Sequence, residues 1–178
     1  MISNQDSEKM LTPWLSVIGL ITVMWTPVER KIDECVFILS LLNGCGKRPG
    51  SLTRKLEYIK SNLPETAIYS PNFDEIIDIT KGTAQVRDVC VHGVIETYDE
   101  NKMVIGKVQA KACDFNVEYF TYDQVRLFSA GSNLTTLLEI WSKLATDLNN
   151  IANDAIQEII VAPPAYSTSQ PFDNTKCL

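Results

Sequence analysis

The chain has 178 residues, 45% of them apolar, with 16 lysines and arginines against 22 aspartates and glutamates, for a net charge of −6. That length fits one domain and that apolar share suffices for a core. The acidic balance excludes a broad nucleic-acid-coating surface, since non-specific phosphate affinity grows with the number of basic contacts, while a confined basic cleft is still allowed. The cysteines, at positions 35, 45, 90, 113 and 177, are odd in number, scattered and free of any Cys-x-x-Cys pair. They argue against a disulfide framework and a zinc site, and for a reducing cytoplasm.

Residues 1–11 read as a disordered N-terminus, polar through Lys9. From Met10 to Val28 there is no charge, a run long enough to raise a membrane span. Thr12, Pro13, Ser16, Gly19, Thr22, Thr26 and Pro27 interrupt it, and Asp6 and Glu8 precede it, which argues against both a span and a signal peptide. Ser16, Gly19, Thr22 and Thr26 recur every three or four residues, so a helix here has one narrow small-polar stripe and is apolar elsewhere. Such a helix belongs in a core or a subunit interface.

Thr26-Pro27-Val28-Glu29 has the pattern of a helix start; the alternative is one long helix kinked at Pro27. Either way Val28, Ile32, Cys35, Val36, Leu39 and Leu42 keep helical spacing until Asn43-Gly44. Gly44 to Gly50 is a connector that lacks the Gly-Lys-Ser/Thr ending of a phosphate-binding loop. A short helix follows, capped by Ser51 or Thr53, through Leu52, Leu56, Ile59 and Leu63. The next helix is expected after Ser70, with Pro71 in its first turn and Asp74 and Glu75 at the positive end of its dipole.

Beyond Gly93 the period changes from helical to alternating. Val94–Tyr98 and Met103–Val108 read as a β-hairpin, with a third short strand over Phe115–Phe120. Thr121-Tyr122-Asp123-Gln124 has capping-box spacing, and the helix it opens extends to Val161, with a break allowed at Gly131-Ser132. Trp141 belongs to the core stripe of that helix. Residues 162–178 have the composition of a disordered tail. Lys47-Arg48, Arg54-Lys55 and Lys60, and again Lys102, Lys107 and Lys111, read as solvated faces.

The helix that ends at Gly93 carries Val86-Arg87-Asp88-Val89-Cys90-Val91-His92-Gly93, which holds the chain's lone histidine. Arginine is a permanent cation shaped to hold phosphate, and histidine both takes and gives a proton near neutral pH. On a regular helix the two would lie about 140° apart and roughly 7.5 Å along the axis, so one helix does not aim both at one atom without bending. Asp88, four residues before His92, shares its face and is placed to orient the ring. The structural alternative is a histidine in the last turn of a helix that interacts with its dipole, with Gly93 as a left-handed cap, Arg87 in a surface ion pair and Asp88 as an i,i+4 partner.

Arg87, the polar Asp88, three further residues and His92 resemble the Arg-x4-6-His motif of the HEPN superfamily. The resemblance implies a mainly α fold, an HEPN-like up-and-down helical bundle over residues 12–161, into which the alternating pattern over residues 94–120 would place a β-hairpin insertion. It further implies a metal-independent endoribonuclease, in some members a toxin or anti-phage effector. Catalytic roles would fall to Arg87, His92 and Asp88, with neither metal nor cofactor. Some members carry a tyrosine two residues after the histidine; Val94 stands there in this chain.

RNA self-cleavage needs a base for the 2′-hydroxyl, an acid for the leaving oxygen and positive charge on the phosphate. One histidine fills one proton role at a time, so the simplest complete site is a two-fold homodimer with facing motif helices, as in HEPN ribonucleases. The expected partners are RNA, a second copy of the chain and an antitoxin or other regulatory protein, with no membrane. The competing expectation is a catalytically inactive HEPN-like bundle that acts as a binding or oligomerisation module.

Overall fold

The computed structural model describes residues 4–44, 46–111 and 114–161. The expected C-terminal tail, together with Cys45, Cys113 and Cys177, lies outside them. Among the described residues the chain is mainly helical: α1 (Asn4–Leu42), α2 (Leu52–Asn62), a 3-10 turn (Ser70–Asn72), α3 (Phe73–His92) and α4 (Gln124–Val161). Between α3 and α4 lies a three-stranded antiparallel sheet in the order β1 (Val94–Tyr98), β2 (Lys102–Lys111), β3 (Asp114–Asp123).

The single long helix is the alternative that α1 realises, running through both Pro13 and Pro27. An interior proline costs about 3 kcal/mol. Buried Ile21, Val28, Ile32 and Leu39 each contribute about 1.5–3 kcal/mol, and Trp14, Trp25 and Cys35 add to the same face. Packing therefore outweighs propensity, and Thr26 is an interior residue rather than a cap. Residues 4–11, expected as part of a disordered N-terminus, are the opening turns of this helix.

Trp141 is fully buried at the centre of the bundle. Its Nε1 donates to Thr80 Oγ1 at 3.2 Å, and Phe73 meets it edge-on at 5.8 Å between ring centroids. These contacts place the start of α3 beside the middle of α4, and Cys35 Sγ approaches the Trp141 carbonyl at 3.9 Å from the C-terminal part of α1. At the other end, Trp14 Nε1 donates to the Asp99 carbonyl at 3.0 Å, and Gln124 Nε2 donates to the Glu100 carbonyl at 3.2 Å. Thus α1 and α4 run in one direction and α3 runs against them.

A strict up-and-down order fails at the first connection. Lys55 pairs with Asp33 at 2.6 Å, and Asn43 Nδ2 donates to Asn62 Oδ1 at 3.2 Å, so α2 runs parallel to α1. The physical reason is reach: the connector 43–51 spans up to roughly 30 Å when extended, whereas α2 is only about 16 Å long. Its end lies at Asn43, so the chain returns along its length before α2 begins.

At the sheet, Met103 pairs with Tyr122 and Ile105 with Phe120; Met103, Ile105 and Tyr122 are buried. The third strand, expected over 115–120, is ten residues long. It extends through Thr121, so the expected capping box does not form; Asp123 Oδ1 accepts from the Arg126 N–H at 2.7 Å instead. The helix it caps continues through Gly131-Ser132.

Gly93 closes α3 in an extended conformation (φ −92°, ψ 167°), not as the left-handed cap of the alternative reading, and its N–H donates to the Val89 carbonyl. A Cβ here would lie 2.6 Å from that carbonyl oxygen and collide with the Ile105 side chain. Close packing of the helix end on β2 requires the glycine.

One face of α1 stays uncovered. Leu15, Leu20 and Val23 are 49%, 52% and 70% exposed, and Lys9–Leu42 is long and apolar enough by composition to cross a membrane. The other face is core, as the absence of charge predicts.

Candidate functional site

Helix α3 delivers Arg87, Asp88 and His92 to the end of the bundle that bears the sheet. Arg87 and Asp88 line a groove of about 480 Å³ between α1, the first turn of α2 and α3, together with Trp25, Glu29, Thr53 and Lys81. His92 is not part of its wall. The ring stands one turn further along, its side chain 58% exposed, as a five-residue separation on a straight helix demands.

Asp88 joins the two halves. One carboxylate oxygen lies 3.8 Å from His92 Nε2, an ion pair when the ring is protonated and too long for a hydrogen bond. The other oxygen is held by Lys107 Nζ. Lys107 comes from β2, and its side chain is only 19% exposed. The expected i,i+4 relation of Asp88 and His92 is therefore present, and a cation from the sheet fixes the carboxylate on its far side.

Arg87 forms no ion pair among the described residues, and its Nε is shut off from solvent without a hydrogen-bond partner. The surface ion pair of the structural alternative is not formed. Buried donors are normally satisfied; this one is sealed within the wall, so any acceptor in the groove would meet the other N–H groups of the guanidinium. The acids nearby are occupied: Glu29 faces Lys55 at 3.9 Å, and Asp88 faces Lys107.

The basic residues expected as solvated faces divide by partner. Lys55 is buried against Asp33 and Glu29, Lys60 pairs with Asp74, and Arg48 lies over the Phe37 ring at 5.3 Å. Sequence reasoning passed over Lys107, Lys81 and Thr53 as site residues. A signal existed for Lys107: it alternates with Met103 and Ile105 on the face of β2 that buries, so its charge had to meet a partner near α3. Lys81 and Gln85 stand four apart, with Asp88 and His92 continuing the same stripe, which a helical projection reveals. Thr53 carries no local mark, because only the parallel return of α2 brings it there.

Neither described free thiol is poised as a nucleophile. Burial pushes Cys90 up to about 11, and burial followed by the neighbouring Glu34 pushes Cys35 up to about 12. Among the described residues no three histidines, cysteines, aspartates or glutamates gather as a metal-ligand set. Two concavities of similar size, about 380 Å³ beside Lys143 and Asp147 and about 450 Å³ beside Val125 and Phe128, lack a pair of cations.

What the arrangement offers is a fixed cation in a groove, an open proton carrier one turn away, and a carboxylate between them held by a lysine. No protein-family model matches the chain, no curated protein is significantly similar to it, and no solved structure matches it.

Proposed function

We propose that the protein is a metal-independent endoribonuclease of the HEPN type that cleaves RNA at a site shared by two copies of the chain. The observation that carries the reading is the open face at the end of α3, where His92 is exposed beside Asp88 while Arg87 lines the adjacent groove with an unsatisfied Nε. His92 takes the 2′-hydroxyl proton or returns a proton to the leaving 5′-oxygen, Arg87 holds the phosphate as charge builds on it, and Asp88 orients the ring. A second copy supplies the second imidazole, since the single histidine of one chain fills one proton role at a time. In a bacterial-toxin setting an antitoxin or other regulatory protein would cover this face.

The test is cleavage of single-stranded RNA by purified protein without added metal. Parent protein should cleave, and Arg87→Ala and His92→Ala should each lose activity; cleavage unchanged in both variants would refute the assignment. A second reading, an inactive HEPN-like bundle used for binding or oligomerisation, draws on the uncovered α1 face at Leu15, Leu20 and Val23. Association in solution with no RNA cleavage by the parent would favour it.

A further inference from the structure

We infer that the Arg87 groove is a phosphate-binding pocket in its own right, in which Lys81 and Thr53 complete the grip on a nucleotide phosphate independently of His92. This rests on the reading of Arg87 as a phosphate ligand and extends it to residues that the Arg-x4-6-His motif does not contain.

Charge carries the first part of the argument. Four ionisable side chains line the groove: Glu29, Lys81, Arg87 and Asp88. Asp88 already has a cation in Lys107, and Glu29 shares Lys55 with Asp33, which holds that lysine more closely at 2.6 Å against 3.9 Å; both lysines stand outside the lining. Among the described residues Lys81 and Arg87 have no ionic partner; with Lys55 shared between Asp33 and Glu29, one positive charge remains over around the groove in a protein whose net charge is −6. A groove with surplus positive charge favours an anion, the more so where its walls exclude water.

Hydrogen-bond chemistry carries the second part. Arg87 lines the groove and has no ionic partner among the described residues. Its Nε is sealed in the wall, so the guanidinium's other N–H groups are the donors that suit a tetrahedral oxyanion with several acceptor oxygens. The Thr53 hydroxyl is a further donor in the wall, and because Leu52 and Thr53 open the eleven-residue α2, the positive end of that helix borders the groove. Trp25 and Ala84 give the same wall an apolar part, against which a ribose or base can rest.

Shape and direction carry the third. Lys81, Gln85, Asp88 and His92 follow one another at i, i+4, i+7 and i+11 on α3, so the groove leads along the helix to the exposed ring. A phosphate seated at Arg87 and Lys81 places the next stretch of a single strand within reach of His92. The shared chemistry is a phosphate oxyanion, and its two sources are a free mononucleotide and an RNA backbone.

Binding is measured by titration calorimetry in low salt with inorganic phosphate, adenosine 3′-monophosphate and a short single-stranded oligoribonucleotide. His92→Ala serves as host for the oligonucleotide, which it should bind as the parent does the mononucleotide. Lys81→Met and Arg87→Lys should each weaken binding by about tenfold, the loss of one charge-assisted contact or of its fork geometry. Lys31→Met, a partly exposed lysine paired with Glu34 on α1, should leave it unchanged, and circular dichroism confirms folding of each variant. Binding of the mononucleotide but not the oligonucleotide assigns the pocket to a free nucleotide, and the converse assigns it to RNA. Binding by neither, or equal losses in Lys31→Met and Lys81→Met, overturns the inference. Cleavage is a separate readout: intact binding with no cleavage by the parent sinks the ribonuclease reading alone.

Discussion

Arg87 and His92 lie five residues apart on one helix and occupy opposite kinds of surroundings. The arginine is packed into a groove wall formed by three helices, with one donor sealed from solvent, whereas the imidazole stands on an open rim. The difference teaches that a spacing in sequence is not a site in space. Helical geometry separates the two side chains, and the groove and the sheet decide what each can meet. Asp88, held by Lys107 from β2, lines the groove and faces the ring, so the two surroundings touch there.

The strongest break in this comparison would come from catalysis. Removing the proton carrier or the phosphate ligand typically lowers turnover by about 10²–10⁴-fold, so His92→Ala and Arg87→Ala should both lose cleavage to that extent, while only the second should also lose phosphate binding. Equal binding loss in both would mean that the groove and the rim are one site.

Next in size is the joint that sets the helix end on the sheet. Gly93→Ala must push Ile105 or the Val89 carbonyl aside; overpacking of this kind costs about 1–3 kcal/mol. Its denaturation midpoint should fall, and with it both binding and cleavage. An unchanged midpoint would show that the joint is softer than its geometry.

The same joint should respond to alkali. Cys90 is raised to about 11 by burial, and Tyr122 to about 12 by burial and then the neighbouring Cys90, with Cys35 raised to about 12 in the core. Each unfolded group releases its proton at a lower pH than the folded one. The stability they contribute is therefore complete below about pH 9 and is lost as pH rises from there through 11 to 12. Urea denaturation between pH 8 and 11 measures it; a flat profile would place these groups in contact with solvent.

Lys107→Met sharpens the comparison at smaller scale. The Lys107–Asp88 pair is partly open to water, which limits its worth to roughly 0.5–1 kcal/mol, so stability should change little. Cleavage should fall severalfold because Asp88 loses its fixed position, and phosphate binding in the groove should weaken as well, since the Asp88 carboxylate in its wall is left without its cation. Smallest of all, His92→Ala should alter stability by no more than about 0.5 kcal/mol, as expected for an exposed side chain away from the core.

Much of the helical framework was legible because burial imposes a period. The core stripe of α4 through Leu134, Trp141 and Leu148, and the stripe of α1 through Ile32, Cys35 and Leu39, read directly from spacing. The ends were less legible. The reading of Pro27 as a helix start fails because proline's local preference is weaker than the burial of Trp25 and Val28 on either side. The capping box at Thr121 fails because strand pairing claims that residue first. Of the site, Arg87, Asp88 and His92 could be named from a motif, and the i,i+4 relation of the last two followed from helix geometry.

The sequence alone determined a mainly helical chain with a small antiparallel sheet after the only histidine, since apolar spacing of 3.6 and then of two residues admits little else. It also fixed the divergence of Arg87 and His92. The tertiary structure alone decided that α2 returns parallel to α1, that Thr53 and Lys81 join Arg87 around one groove, and that Lys107 reaches Asp88. These are meetings between distant segments, set by connector reach and by which charges find partners, and no local pattern of residues encodes them.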